Sequence, residues 1–266
     1  MWSFEKSNLC LCLLGTSLSF GFGVAFANPY AYSYGYKVSN SNWNPAVTTG
    51  YGDPDGNGSN GGACGYGSLV DVQPFKARVT AVSPILFKNG EGCGACYMVK
   101  CLDKSICSSS AVTVIVTDEC PGCSSTHFDL SGAAFGHLSL PGRGGQLRNR
   151  GILPVVYRRT PCTYPGMKIS FRLNDGSRTY WLSLLVVFEG GDGDIGAMYI
   201  KQATSSEWMP MAHSWRANWY ITGRGPLKGP FSVKLITLST RKTLTARDVI
   251  PTNFLAGATY TSRLNL

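Results

Sequence analysis

Residues 112–130 read VTVIVTDECPGCSSTHFDL. The run from Ala111 to Thr117 is β-branched and apolar, the composition of a strand. It delivers Asp118 at its end. Cys120-Pro-Gly-Cys123 follows, and a second carboxylate, Asp129, comes 11 positions after the first. Two acids near a strand mouth are what a sugar-cleaving groove needs. The CxxC is open to three readings: a disulfide, a redox pair, or half of a zinc site.

The surrounding chain narrows these. The first 27 residues form a leader with no charge between Leu9 and Ala27, closed by Ala25-Phe26-Ala27, the pattern of a cleaved secretory signal. No later stretch is apolar enough to span a bilayer, so the mature chain is expected to be secreted, without a membrane span. Two of the ten cysteines leave with the leader, and the other eight all lie between Cys64 and Cys162. An even count in a secreted chain points to disulfides. Cys93-x-x-Cys96 and Cys120-x-x-Cys123, 23 residues apart, have a zinc-ribbon spacing. Secretion and the four other cysteines favour oxidation, so no metal and no cofactor are expected. A redox CxxC belongs on a βαβ unit. None is visible, and Cys120–Cys123 reads as closing a tight turn.

The cysteine distribution also divides the chain. Residues 28–165 are loop-rich and stapled, and 166–266 carry no cysteine. Thr163-Tyr-Pro-Gly166 reads as a hinge between two domains. Residues 28–47, rich in Tyr, Ser and Asn, read as a mobile arm, and GYGDPDGNGSNGGACGYG (50–67) as a structured loop. That loop lacks the lysine of a phosphate-cradling motif. Strands are expected at Arg78–Val82, Tyr97–Lys100, Ala111–Thr117 and Ile152–Tyr157, with a short helix at Ser131–Leu138 for which Asp129 is a candidate cap. After the hinge, Lys168–Leu173 alternates strictly, and Tyr180–Phe188, Ile195–Ile200, Phe231–Leu238 and Leu244–Ile250 continue the series. This predicts an antiparallel sandwich of about eight strands with no helix. Trp181, Trp208, Trp215 and Trp219 exceed what one such core needs, and flat aromatic faces also stack on sugar rings.

The net charge is +9, with 11 basic against 8 acidic groups in 28–165 and 12 against 6 in 166–266. The field is diffuse, without a long basic run. Secretion argues against nucleic acid, so the expected partner is a polyanionic extracellular matrix.

GGACGYG (61–67), GCGACYMVKC (92–101), VTDEC (116–120), HFDLSGAAFG (127–136), GILPVVYRR (151–159), GDGDIGAMYI (191–200), SWRANW (214–219), LKGPFSVKL (227–235) and DVIPTNF (248–254) together resemble plant expansins, from about residue 37 onward. HFDLSGAAFG is similar to the β-expansin branch. The resemblance implies an all-β chain. A six-stranded double-ψ β-barrel like that of family 45 endoglucanases is followed by an immunoglobulin-like β-sandwich that binds carbohydrate. It implies a secreted wall-loosening protein, a monomer, that disrupts contacts among cellulose, xyloglucan and arabinoxylan without hydrolysis. It implies the pairs Cys64–Cys93, Cys96–Cys162 and Cys101–Cys107, leaving Cys120 and Cys123 to each other.

By the same resemblance, Asp129 matches the acid of the endoglucanases, His127 precedes it, and Asp118 is the second groove carboxylate. Thr49 and Tyr51 match a T-x-Y floor; Trp181, Trp215 and Trp219 match an exposed aromatic row. Two positions depart: Gly50 stands where the family has Trp, and Ser59 where some relatives have an acid. Asp53 falls at the register of the endoglucanase base. An inverting endoglycanase, with Asp129 as acid and Asp53 as base, is therefore the alternative, and a purely carbohydrate-binding barwin-like protein is a third reading. Asn57-Gly-Ser59 is a glycosylation sequon.

Overall fold

A computed structural model describes residues 43–76, 78–214 and 216–264. The leader, the arm before residue 43 and Trp215 lie outside the described residues. Within residues 43–159 six strands close a barrel: β1 (Asn44–Tyr51), β2 (Val79–Val82), β3 (Cys96–Cys101), β4 (Val112–Glu119), β5 (His127–Ser131) and β6 (Leu153–Arg159). Their order around the barrel is β1-β5-β2-β4-β3-β6. The β1–β5 and β2–β4 pairs are parallel and the others antiparallel. Closure removes every sheet edge that would otherwise need covering. The interior is filled by Val79, Val99, Val114, Val116, Phe128 and Leu130, all fully buried.

Two strands were not legible. Residues 44–51, read as arm and loop, form β1, and the His127–Ser131 segment forms β5. Neither shows clean alternation of apolar and polar residues, because each is held from both sides. β1 pairs with β5 from Val47↔His127 to Tyr51↔Ser131, and with β6 from Asn44↔Tyr157 to Thr48↔Leu153. The short helix is present, reduced to α2 (Gly132–Gly136), between α1 (Pro84–Phe87) and α3 (Gly144–Arg148). Its cap is Ser131, whose Oγ accepts the Ala134 N–H at 3.2 Å. Asp129 is two residues too early for that role.

The second half is a sandwich with no helix among its described residues. One sheet runs β10-β9-β13-β14, from Met209–Pro210, Ile195–Gln202, Phe231–Thr237 and Thr243–Ile250. The other runs β11-β12-β8-β7-β15, from Ala212–His213, Asn218–Thr222, Trp181–Val187, Ser170–Leu173 and Thr259–Thr261. Phe171, Leu173, Leu182, Leu184, Ile200, Phe231 and Val233 build its core. The strands missed by pattern are the short β10, β11 and β15 together with β12, where Asn218 and Tyr220 break the apolar run.

The link between the halves is packed and not a free hinge. Tyr164 is buried between Phe75 and Phe188, at ring separations of 6.0 and 5.7 Å. Leu185 and Val187 of β8 join the barrel's own apolar cluster. Four disulfides, Cys64–Cys93, Cys96–Cys162, Cys101–Cys107 and Cys120–Cys123, all lie in or beside the barrel. Arg159 fastens the seam: it pairs with Asp194 at 2.9 Å and donates to the Cys96 carbonyl at 3.0 Å and to the Asp192 carbonyl.

Candidate functional site

The parallel register of β1 and β5 sets Thr49 directly beside Asp129. The Thr49 hydroxyl donates to Asp129 Oδ1 at 2.6 Å and lies 2.8 Å from His127 Nε2. A hydroxyl has one proton to give. With that proton on the carboxylate, Thr49 accepts from His127, so the imidazole carries its proton on Nε2. Burial holds His127 below its usual range, and Asp129 pulls the other way. The backbone of Asp129 is fixed by Thr80 Oγ1, which donates to its carbonyl at 2.9 Å. Three residues from two strands thus make one polar chain, and among the described residues Asp129 Oδ2 has no hydrogen-bond partner.

Asp118 is brought to the same place for a second reason. Its Oδ1 accepts the backbone N–H groups of Ala63 at 2.6 Å and Glu119 at 2.8 Å. The glycine-rich loop therefore lies across the end of β4, and Cys64 N–H continues the contact to the Thr117 carbonyl at 3.0 Å. Gly62 is required by this close approach: a Cβ there would stand 2.5 Å from that carbonyl. Asp118 is thus an anchor for the loop.

Tyr51 lies within electrostatic reach of both acids. Burial, with Asp118 and Asp129 adding to it, pushes its phenol well above the usual range. Its hydroxyl and the neighbouring Ser59 hydroxyl are both shielded, and among the described residues neither meets a partner at hydrogen-bonding geometry.

Asp53 does not join this group. It is exposed, beyond the last β1–β5 pair, in a turn where its N–H meets the Asn57 carbonyl at 2.8 Å and its carbonyl accepts from Gly56 at 2.9 Å. That carbonyl rests on Gly132, where a Cβ would come within 2.3 Å. Asn57 is exposed, and its side chain donates to Asp55 at 2.8 Å.

The aromatic row is only partly as expected. Trp219 is 7% exposed and belongs to the sandwich core, its ring 4.9 Å from His213. Strand period decides this: Trp219 and Ile221 face inward, so Tyr220 and Thr222 face out. Trp181 pairs with Thr222 across β8 and β12, and its ring lies 6.4 Å from Tyr220, tilted by 32°. The outward-facing pair is therefore Trp181 and Tyr220, both half-buried; Trp215 lies outside the described residues. The Trp-x-Ile alternation at 219–221 is the sequence signal that could have placed Trp219 inside. Trp181 also shares its face of β8 with Leu185 and Val187, which pack on the barrel. The aromatic pair is thus about 13 Å from the seam, at roughly 3.3 Å per residue.

A family model described as the expansin C-terminal domain matches residues 169–251. A second, described as lytic transglycolase, matches residues 79–157. Expansin-B3 of Arabidopsis thaliana is 68% identical over 225 residues, covering 84% of this chain and 85% of that protein. Expansin-B16 of Oryza sativa subsp. japonica is 66% identical over 227 residues, 84% of this chain and 83% of that one. Among solved structures, the apo expansin of Clavibacter michiganensis has a TM-score of 0.64 at 24% identity, covering 84% of this chain and 97% of its own. A point mutant of that bacterial protein, in complex with cellohexaose, also has a TM-score of 0.64, at 23% identity and the same coverages.

Proposed function

This chain belongs to the expansin family, within its expansin-B group, and we propose that it loosens plant cell walls by gripping polysaccharide without cutting it. The reading takes residues 1–27 as a removed signal, 28–165 as the barrel domain and 166–266 as the carbohydrate-binding sandwich, in a secreted monomer. The observation that carries it is the Thr49–Asp129–His127 chain. A carboxylate held by a threonine, with its second oxygen unpartnered among the described residues, is a fixed acceptor for sugar hydroxyls. Trp181 and Tyr220 supply the flat faces on which sugar rings stack. Gripping at both places would let the protein displace contacts among cellulose, xyloglucan and arabinoxylan.

Inverting hydrolysis needs a second carboxylate about 6.5–9.5 Å from the first, facing it across the bond to be cut. Asp53 is the candidate at the endoglucanase register. Its exposure, and its place in a turn with no contact to the Asp129 network, weigh against that role.

The test is extension of heat-inactivated wall strips under load, with reducing-sugar release measured on the same sample. Creep without sugar release is the expected result. Asp129→Asn should abolish creep. Thr49→Val, which takes away the donor to Asp129, should reduce creep several-fold while costing about 1 kcal/mol of stability. Creep undiminished in Asp129→Asn would overturn the role given to the groove. Sugar release that disappears in Asp53→Asn would instead establish the endoglycanase reading.

A further inference from the structure

Cys120-Pro-Gly-Cys123 is the motif of the 112–130 stretch that the groove does not use. It joins the end of β4 to the connection that enters β5. No helix begins at this turn, so the pair lacks the strand-to-helix setting of a catalytic dithiol. It is placed unlike the other three disulfides all the same.

Access separates them. Cys64, Cys93, Cys96, Cys101, Cys107 and Cys162 are each at most 5% exposed. Cys120 and Cys123 are half-buried, and Pro121, Gly122, Ser124 and Ser125 around them are exposed. A Cβ at Gly122 would meet nothing within 4 Å, so the tip of the turn stands in open space. Thiol–disulfide exchange requires a thiolate to reach one of the two sulfurs. Burial denies that approach at the other six cysteines, and this turn leaves it open.

Loop size acts in the same direction. Cys96–Cys162 and Cys64–Cys93 close separations of 66 and 29 residues, Cys120–Cys123 one of 3. A disulfide gains from folding what it gives to folding, and the shortest loop removes the least entropy from the unfolded chain. The fold therefore protects Cys120–Cys123 least. Cys101–Cys107, at a separation of 6, is also short, but both of its cysteines are buried.

The turn also lies between the two groove carboxylates. Cys120 N–H donates to the Val82 carbonyl at 2.8 Å, and the Thr126 carbonyl accepts from Val47 N–H at 3.1 Å. The connection 120–126 is thus tied to β2 at one end and to β1 at the other. Within it the disulfide closes a single turn, whose backbone bond runs from Cys123 N–H to the Cys120 carbonyl at 3.1 Å. Asp118, with the glycine-rich loop fixed on it through Ala63 N–H, stands two residues before the turn. His127 and Asp129 follow the connection on β5. Opening the disulfide lengthens the free chain between these groups.

We propose that Cys120–Cys123 is a reversible modification site: a small thiol of the glutathione class reduces it while the other three disulfides stay closed, and the opened turn loosens the hold of the groove on polysaccharide. The first thiolate attacks one sulfur and the S–S bond breaks, giving a mixed disulfide and a protein thiolate that takes up a proton. A second thiolate attacks the small molecule's sulfur in that mixed disulfide. It releases the oxidised small-molecule disulfide and the other protein thiolate, which is protonated in turn. Two thiols are oxidised and one protein disulfide is reduced, and the oxidised small molecule drives the exchange backward. The effect on polysaccharide rests on the wall-loosening reading of the groove; the reduction itself does not.

The test equilibrates the mature protein in buffers of graded reduced-to-oxidised glutathione ratio, traps free thiols with iodoacetamide and maps the labelled peptides by mass. Cys120 and Cys123 should carry label at ratios where the other six cysteines carry none. In the same buffers, co-sedimentation with insoluble wall polysaccharide should fall several-fold as the pair is reduced and return on reoxidation. The double variant Cys120→Ser, Cys123→Ser should co-sediment like the reduced wild type and ignore the ratio. No label at any ratio, or label reaching all eight cysteines together, overturns the modification site. Label confined to the pair with co-sedimentation unchanged overturns its link to the groove. A wild type that fails to co-sediment in every buffer overturns the wall-glycan reading and that link together, and the labelling then decides the modification site by itself.

Discussion

Glu189 sits on the seam with one oxygen paired and one not. Its Oε2 accepts the Gly193 N–H, while Oε1 is shielded and finds no partner among the described residues. Burial, helped by Asp192 and Asp194 and opposed by Gly193 N–H and Lys242, pushes its carboxyl up to about 7 from the usual 4.5. Below pH 4.5 the group is protonated in both folded and unfolded chains, and folding is not penalised. Between there and about 7 the unfolded chain gives up a proton that the folded chain keeps, so stability falls as pH rises. The loss is complete above 7 and is on the order of 3 kcal/mol. Asp194, raised by burial against the pull of Arg159, acts in the same direction. His127, lowered by burial, acts in the opposite one as pH falls through its usual range. Melting temperature followed from pH 4.5 to 7 should therefore decline in the wild type and decline much less in Glu189→Gln. Parallel curves for the two proteins would show that the Glu189 carboxyl is not the group responsible. The acids of the groove were legible one by one. What each is bonded to was not, because Thr49 and Asp129 are 80 residues apart in sequence.

Strand period separates the aromatic side chains into two kinds. Trp219 fills the sandwich core, so Trp219→Ala should cost about 3–5 kcal/mol in a denaturant melt. Trp181 and Tyr220 face outward on the same sheet. Their alanine variants should stay within about 1 kcal/mol of the wild type, while co-sedimentation with insoluble wall polysaccharide falls. A stable Trp219→Ala that lost binding would reverse the assignment. Sequence reading located the strands whose patterns are strong, such as β4, β8, β9 and β13, to within two residues. It missed β1 and β5, which carry Thr49, His127 and Asp129. Those strands have polar residues at positions that the barrel satisfies from neighbours: Thr48, fully buried, donates to the Phe128 carbonyl at 2.6 Å. Burial of polar side chains erases the alternation by which a strand is recognised.

The two halves share more than a linker. The Cys96–Cys162 disulfide encloses 66 residues and ties β3 to the chain as it leaves the barrel. Cys162 also exchanges backbone hydrogen bonds with Gly191 at 2.7 and 3.0 Å. Replacing both cysteines by alanine should cost about 4 kcal/mol on the chain-entropy estimate, against under about 2 for Cys120–Cys123, which are three apart. Equal shifts in denaturant midpoint for the two double variants would show that loop size is not what decides.

By itself the amino-acid sequence determined the all-β class, the change of character near residue 165, the cysteine-rich first half and the expansin-type motifs. These are local features: strand composition, turn residues and short fixed spacings survive without knowledge of contacts. Only the tertiary structure decided that Asp129 is held by Thr49, and that Trp219 is inside and Tyr220 outside. It alone showed that Gly50 leaves room for the Phe135 ring. Each depends on parallel pairing or strand facing between segments far apart in the chain, and such pairing is fixed by closing the whole barrel. The stretch 112–130 spans both cases: its first strand could be read from composition, while its second became a strand only because β1 lies beside it.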